Sequence, residues 1–259
     1  MKRRTTILVS IVSLETLILS GLIVLALTTV PAMAGSVTLP TTIRDFNDSH
    51  PDFESYVGND PGIVQSTLGP DRKPVYAGQD GNPSTHGQEY FDQWYRDVPG
   101  VNTSMTCDLV LTDVGGGIYQ YTSSSFFPID GLLFGNQGRS HNYHFTLEMH
   151  SEFTYLPGQA FSFTGDDDLF VFINDMLVID LGGVHGAQSA SVNLDTLGLT
   201  PENVYGFDLF FAERHTTASS FSVQTSIKLA PKPVPEPSGL LATITALTAL
   251  AGVSRKRRS

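Results

Sequence analysis

The chain has 259 residues, with 15 Lys and Arg against 26 Asp and Glu, for a formal net charge of −11 at pH 7. Without Lys2, Arg3, Arg4 and Glu15 at the start and Arg255, Lys256, Arg257 and Arg258 at the end, 8 basic residues face 25 acidic ones, a net charge of −17. Such a body repels nucleic acid and anionic membrane surfaces and attracts divalent cations, and its one cysteine, Cys107, excludes an internal disulfide.

The first 34 residues read as an export signal. Lys2, Arg3 and Arg4 precede a largely apolar run from Ile7 to Leu27, and Ala32-Met33-Ala34 supplies small residues at the spacing of a cleavage site. The run is long and holds Glu15, so an uncleaved N-terminal membrane helix is the alternative. Residues 35–104 are rich in Asp, Pro, Gly and Asn from Arg44 to Gly100, with scattered aromatics that include Phe46, Phe53, Tyr90, Phe91, Trp94 and Tyr95. This composition predicts loops with a short helix or two wrapped around a core. One helix is expected at Pro51, opened by Ser49 or His50, with Asp52 and Glu54 in its first turn.

Residues 105–229 predict the core. Phe145, Leu147 and Met149 alternate with His144, Thr146, Glu148 and His150, the period of a half-buried strand. Phe161 and Phe163 continue the pattern, as do Tyr205 to Phe211 and Phe221 to Thr225. Leu169 to Ile173 is apolar on both faces, as in a central strand, and Asn174-Asp175 suits a tight hairpin with positive φ. Cys107 falls in the apolar run Cys107 to Leu111 and reads as a strand residue rather than a nucleophile. The fold class is all-β, an antiparallel sandwich or barrel.

Chemistry centres on Gly165-Asp166-Asp167-Asp168. Three consecutive carboxylates repel one another unless a cation neutralises them. Hard oxygen ligands suggest Ca²⁺, in a spacing that is not an EF-hand; a solvated acidic turn is the alternative. His144, Glu148 and His150 share one strand face and invite a metal reading, against which a solvated polar face is preferred. His185 and His215 are expected near the acidic turn, each as a structural hydrogen-bonding residue. Nothing singles out an acid and a nucleophile for glycoside hydrolysis. No Gly-rich loop opens a helix as a phosphate site requires. The expectation is a binding protein and not an enzyme.

Residues 230–238 form a Pro-rich linker, and 239–259 carry a short apolar run, Leu240 to Val253, before the basic end. As a helix that run spans only about 21 Å, short of a bilayer core of about 30 Å. Together with Pro235-Glu236-Pro237 the segment resembles the PEP-CTERM sorting tail of bacterial surface proteins, which implies an exosortase-type membrane protease as partner and transient anchoring; an ordinary tail anchor is the alternative.

A second resemblance rests on several blocks: Arg44-Asp45-Phe46, His50-Pro51-Asp52-Phe53, Trp94 to Gly100, Phe163 to Asp168, Gly182-Gly183-Val184-His185-Gly186 and Ala212 to Thr217. Together they resemble the bacterial fibro-slime domain, which is similar to the protective-antigen β-sandwich of toxins, glycosidases and fungal flocculins. The resemblance implies that Asp166 and Asp167, joined by a cis peptide, hold Ca²⁺ with Asp168 beside them, and that the ion meets sugar hydroxyls. It lays Asn174-Asp175 on the family's turn. In the fungal lectins a later loop supplies an Asn; here Glu213 to Ser220 holds none, and Glu213, His215, Thr216 and Thr217 are the polar candidates. The function implied is an exported, calcium-dependent carbohydrate-binding adhesion module. It would pass through the export machinery and signal peptidase to meet extracellular polysaccharide. The alternatives are a structural matrix protein without specific sugar binding and, more remotely, a secreted glycosidase.

Overall fold

A computed structural model describes residues 35–55, 57–78 and 82–232. The export signal with Ala32 and Ala34, and the tail with Pro235, Glu236 and Pro237, lie outside these residues. Among the described residues no helix is long and apolar enough to cross a membrane.

The expected all-β architecture is present. The long strands are β1 (Ser36–Phe46), β3 (Asn102–Asp113), β4 (Tyr119–Ser123), β5 (Phe145–Thr154), β6 (Ala160–Asp166), β7 (Asp168–Ile173), β8 (Met176–Leu181), β10 (Gln188–Asn193), β11 (Val204–Glu213) and β12 (Ser220–Thr225). They run antiparallel in the order β10-β6-β12-β4-β3-β1-β5-β11-β7-β8, and a short β13 (Ala230–Pro231) adds to β5. The two ends of this ribbon, β8 and β10, lie against each other, so the sheet curls almost into a barrel. A two-residue pair, β2 (Gly58–Asn59) with β9 (Gly183–Val184), stands apart.

The alternation of each strand decides what fills the inside. Phe145, Leu147, Phe163, Val171, Ile173, Phe207 and Phe221 all belong to one buried cluster, as their spacing predicts. Each such burial contributes about 1.5–3 kcal/mol. The Asn174-Asp175 hairpin joins β7 to β8 with φ of 53° and 63°, the left-handed pair expected there.

The N-terminal part departs from the expectation in two ways. First, β1 is not a loop: its eleven residues pair with β3, and five of them, from Thr41 to Asp45, also pair with β5 in the middle of the sheet, so the sheet reaches back to Ser36. Second, no helix starts at Pro51. The backbone there turns, because Glu54 has a φ of 59° that a right-handed helix cannot hold. Asp52 is committed elsewhere: its carboxylate accepts from the His86 N–H at 2.7 Å and from the Trp94 indole at 3.0 Å. The one described α-helix is α1 (Gln88–Phe91).

Residues 47–101 cover the outer face of β5, β11 and β7. Phe91, Trp94 and Tyr95 pack on Phe170, Phe172, Phe210 and Ala212 as a second buried cluster. This is why Leu169 to Ile173 is apolar on both faces. The face with His144, Glu148 and His150, expected to be solvated, is covered as well; the three are 1 %, 4 % and 8 % exposed. Lys73 reaches in to pair with Glu148, Arg44 lies 3.2 Å from it, and Arg72 pairs with Asp208, which also accepts from His150 at 2.7 Å. The wrap supplies cations to a strand face that holds anions.

Candidate functional site

The acidic segment sits at the corner between β6 and β7. The peptide bond from Asp166 to Asp167 is cis, as the resemblance implies. Gly165 is needed just before it, because a Cβ there would collide with the Ser220 carbonyl and the Phe163 ring. Each Asp then takes a different role. Asp166 accepts from the Ser220 backbone N–H. Asp167 accepts from the backbone N–H groups of His185 and Arg214, both at 3.0 Å. Burial, and then the neighbouring charge of Asp168, push the Asp167 carboxyl up to about 7.

Asp168, expected with the other two as a metal ligand, is engaged otherwise. Its oxygens accept from Arg214 at 2.6 and 2.9 Å and from the Gly183 N–H at 2.7 Å. Alternation along β7 explains this. Asp168 pairs with Ala212 and faces the outer layer, where Arg214 lies over the Trp94 ring at 4.5 Å. Arg214 also donates to the carbonyls of Asp52 at 3.0 Å and Ser84 at 2.6 Å. Its role was missed in the sequence because its partners are far away in the chain.

The loop after β8 forms the facing wall. Gly183 has a φ of 111° and passes so close to Gly58 and Asp60 that no side chain fits. That close approach seats Val184 and His185 over the acidic corner. Asp166 and Asp167 thus floor a cleft of about 200 Å³, walled by Val57, Val184, His185, His215 and Thr217. His185 and His215 do meet there. His185 Nδ1 bonds the Gly186 carbonyl at 3.0 Å and His215 Nδ1 the Thr216 carbonyl at 2.7 Å, which fixes both rings.

Two of the other loop candidates lie apart from the cleft. Thr216 turns away, donating its backbone N–H to Glu54 at 2.8 Å, and Thr217 lines the cleft in its stead. Asn174 stands at the opposite end of β7; six residues at about 3.3 Å each separate it from the acidic pair by about 20 Å. It cannot reach an ion held by Asp166 and Asp167. Glu213 is buried beside Asp167 and Asp166, and burial, then the Asp167 charge, push its carboxyl well above the usual range.

Whether these groups suit a cation follows from the polar atoms left without partners. Glu213 Oε2, Ser219 Oγ and Ser220 Oγ are buried and make no hydrogen bond. Unpartnered oxygens beside crowded carboxylates are the donor set a hard cation takes. Among the described residues no group of three or more His, Cys, Asp and Glu is already gathered in metal-holding geometry. Any ion held here would also have to draw on hydroxyl, carbonyl or water oxygens.

Psi proteins of Dictyostelium discoideum are similar to this chain. PsiR is 44% identical over 196 residues, covering 69% of this chain and 20% of psiR; psiD is 44% identical over 209 residues, covering 74% and 42%. PsiJ is 43% identical over 242 residues, covering 82% and 34%. The chain thus spans less than half the length of these relatives. They are slime-mould proteins rather than the bacterial fibro-slime proteins that the sequence blocks suggested. Among solved structures, the PA14 domain of MpAFP antifreeze protein has a TM-score of 0.36 at 9% identity, covering 79% of this chain and 96% of that one. A subtype-switched epithelial adhesin 9 A domain of Candida glabrata, in complex with β-lactose, has a TM-score of 0.32 at 14% identity, covering 72% and 79%. The family profile described as PA14 domain matches residues 136–236. The matched stretch holds β5 through β13 and the acidic corner.

Proposed function

We propose that the chain is an exported surface or matrix protein whose β-barrel body is a calcium-dependent carbohydrate-binding adhesion module. The observation that carries this reading is the Asp166-Asp167 pair on the floor of an open cleft, beside buried oxygens that lack partners. The PA14 match supports it. Asp166 and Asp167 would hold the ion; Asp168 and Arg214 would hold the corner. Bound there, calcium would offer open coordination positions to vicinal sugar hydroxyls. His185, His215 and Thr217 stand where they can donate to or accept from a sugar ring. The His185 and His215 rings are held by hydrogen bonds to backbone carbonyls, so little order has to be imposed on them when a ligand enters.

A glycan array probed with the full chain in calcium and again in chelator tests this. Binding to a defined subset of glycans, lost in chelator and lost in Asp167→Asn, is the expected result. Calcium binding without any glycan signal would favour a structural matrix protein whose ion only rigidifies loops. Hydrolysis of an oligosaccharide panel would favour a glycosidase. Export through signal peptidase near Ala32 and Ala34, and sorting by an exosortase-type protease at Pro235-Glu236-Pro237, complete the reading. Mass spectrometry of secreted protein tests them: the expected product begins near Gly35 and ends near Pro237, and an intact tail through Ser259 would contradict sorting.

A further inference from the structure

The loop between β4 and β5 presents an apolar crest to solvent. Leu132, Leu133 and Phe134 follow one another at its tip and are 45 %, 40 % and 39 % exposed. Single exposed apolar residues are ordinary, but three in a row on one loop mark a contact surface. The crest is firmly built. Leu133 has a φ of 55°, in the left-handed region that disfavours a leucine. The buried Asp45 carboxylate ties two parts of the loop together: it accepts from the Phe134 N–H at 2.7 Å and from the Asn142 side-chain amide at 2.9 Å. Asp130 accepts from the Asn142 N–H at 2.7 Å and lies 2.6 Å from His141 Nδ1. His141 in turn stacks on Phe127, with ring centroids 3.9 Å apart and planes 6° from parallel. An aromatic shelf with a carboxylate at its edge thus adjoins the crest in one loop.

Backbone contacts place this loop beside the cleft. Phe126 donates its N–H to the Ser219 carbonyl at 3.0 Å, and the next residue, Ser220, donates to Asp166. Thr217 and Ala218, just before them, line the cleft. The chemistry of the surface narrows its occupant. A body with 8 basic and 25 acidic residues opposes a second copy of itself and any anionic partner. A neutral pyranose ring suits both parts of the ledge: its apolar C–H face meets Phe127 and the crest, and its hydroxyl edge meets Asp130 and His141. We infer that the ledge from Phe127 to Phe134 is a second contact zone for a neutral polysaccharide, taking sugar rings beyond the one seated in the cleft. This rests on the carbohydrate reading of the cleft and adds a preference for chains over single sugars.

The test is calorimetric titration of the full chain, in calcium, with oligosaccharides of glucose, galactose and N-acetylglucosamine, from monosaccharide to hexasaccharide. Wild type is compared with Asp167→Asn and with a crest variant that combines Leu133→Asn and Phe134→Ser. Asparagine tolerates the left-handed turn, and both crest side chains are exposed, so the fold should hold. Thermal melting checks it, and Phe134→Ser alone takes over if the double variant unfolds. Wild type should bind the longer chains of one series about tenfold or more tighter than its monosaccharide, and the crest variant should keep the monosaccharide affinity and lose that gain. Asp167→Asn should lose binding at every length. A wild type that gains nothing with length, or a crest variant that gains as much as wild type, would overturn the inference and leave the cleft reading intact. No binding of any of these sugars by the wild type, with Asp167→Asn the same, would overturn both. Sedimentation of the wild type with phosphatidylcholine vesicles, lost in the crest variant, would assign the crest to a lipid surface and overturn the inference.

Discussion

Arg214 and Asp168 are joined at two points, Nε to Oδ2 at 2.6 Å and Nη2 to Oδ1 at 2.9 Å, and neither side chain has any solvent exposure. The pair links three layers. Asp168 opens β7, Arg214 follows β11, and the guanidinium ties in residues 52 and 84 of the wrap while resting on Trp94. Because Asp168 is next to Asp167, the same pair holds the acidic corner in place from behind.

Removing one partner from such a pair leaves a buried charge with nothing to neutralise it. Arg214→Met is therefore expected to destabilise the fold by about 3–5 kcal/mol. Urea unfolding followed by circular dichroism measures this. A loss of about 0–1 kcal/mol, the size found for exposed pairs, would contradict the buried role.

The charged layer beneath the wrap gives a pH prediction. Burial alone would raise the Glu148 carboxyl, but His150 at 3.8 Å and the charges of Arg44 and Lys73 hold it at about 2 against an ordinary 4.5. A carboxylate held low in the folded state stabilises it above the unfolded value, and that stability is lost as pH falls from about 4.5 towards 2. About 3 kcal/mol is at stake. Stability measured against pH should drop through this window in wild type and drop less in Glu148→Gln. Parallel curves for the two would count against the ion pairs.

The sequence made much of this legible where the physics is local. The two-residue period of Phe145 to Met149 and of Phe207 to Phe211 marks strands whichever partners they find. Asn174-Asp175 marks its hairpin because so few residues tolerate positive φ. β1 was hidden because Pro40 lies in its middle and its neighbours are mostly Thr, a pattern that reads as loop. The covering of His144, Glu148 and His150 was hidden for a different reason. It depends on Lys73 and Arg72, which are distant in the chain and come close only when the wrap folds over β5 and β11. At the site, adjacency in sequence suggested three equivalent carboxylates. The alternation of β7 divides them, sending Asp168 outward to Arg214 and leaving Asp166 and Asp167 at the cleft.

The hairpin at Asn174 separates fold from site. Its φ of 53° belongs to the left-handed region, which costs most residues about 1–2 kcal/mol. Asn174→Val should lower stability by roughly that amount and leave any calcium response unchanged, since the turn lies at the far end of β7. A melting series with and without calcium checks both parts. Loss of the calcium response in this variant would place Asn174 at the ion, against the strand geometry.

The central claim is that Asp166 and Asp167 hold a calcium ion that organises the cleft. Thermal unfolding of the wild-type chain at neutral pH, in calcium and in chelator, tests it most directly. Calcium at about 100 times its dissociation constant should stabilise the folded state by about 2.7 kcal/mol, raising Tm, and Asp167→Asn should remain folded but lose the rise. Superimposable melting curves in calcium and chelator for the wild type would contradict the claim, and the calcium-mediated sugar contact would fall with it.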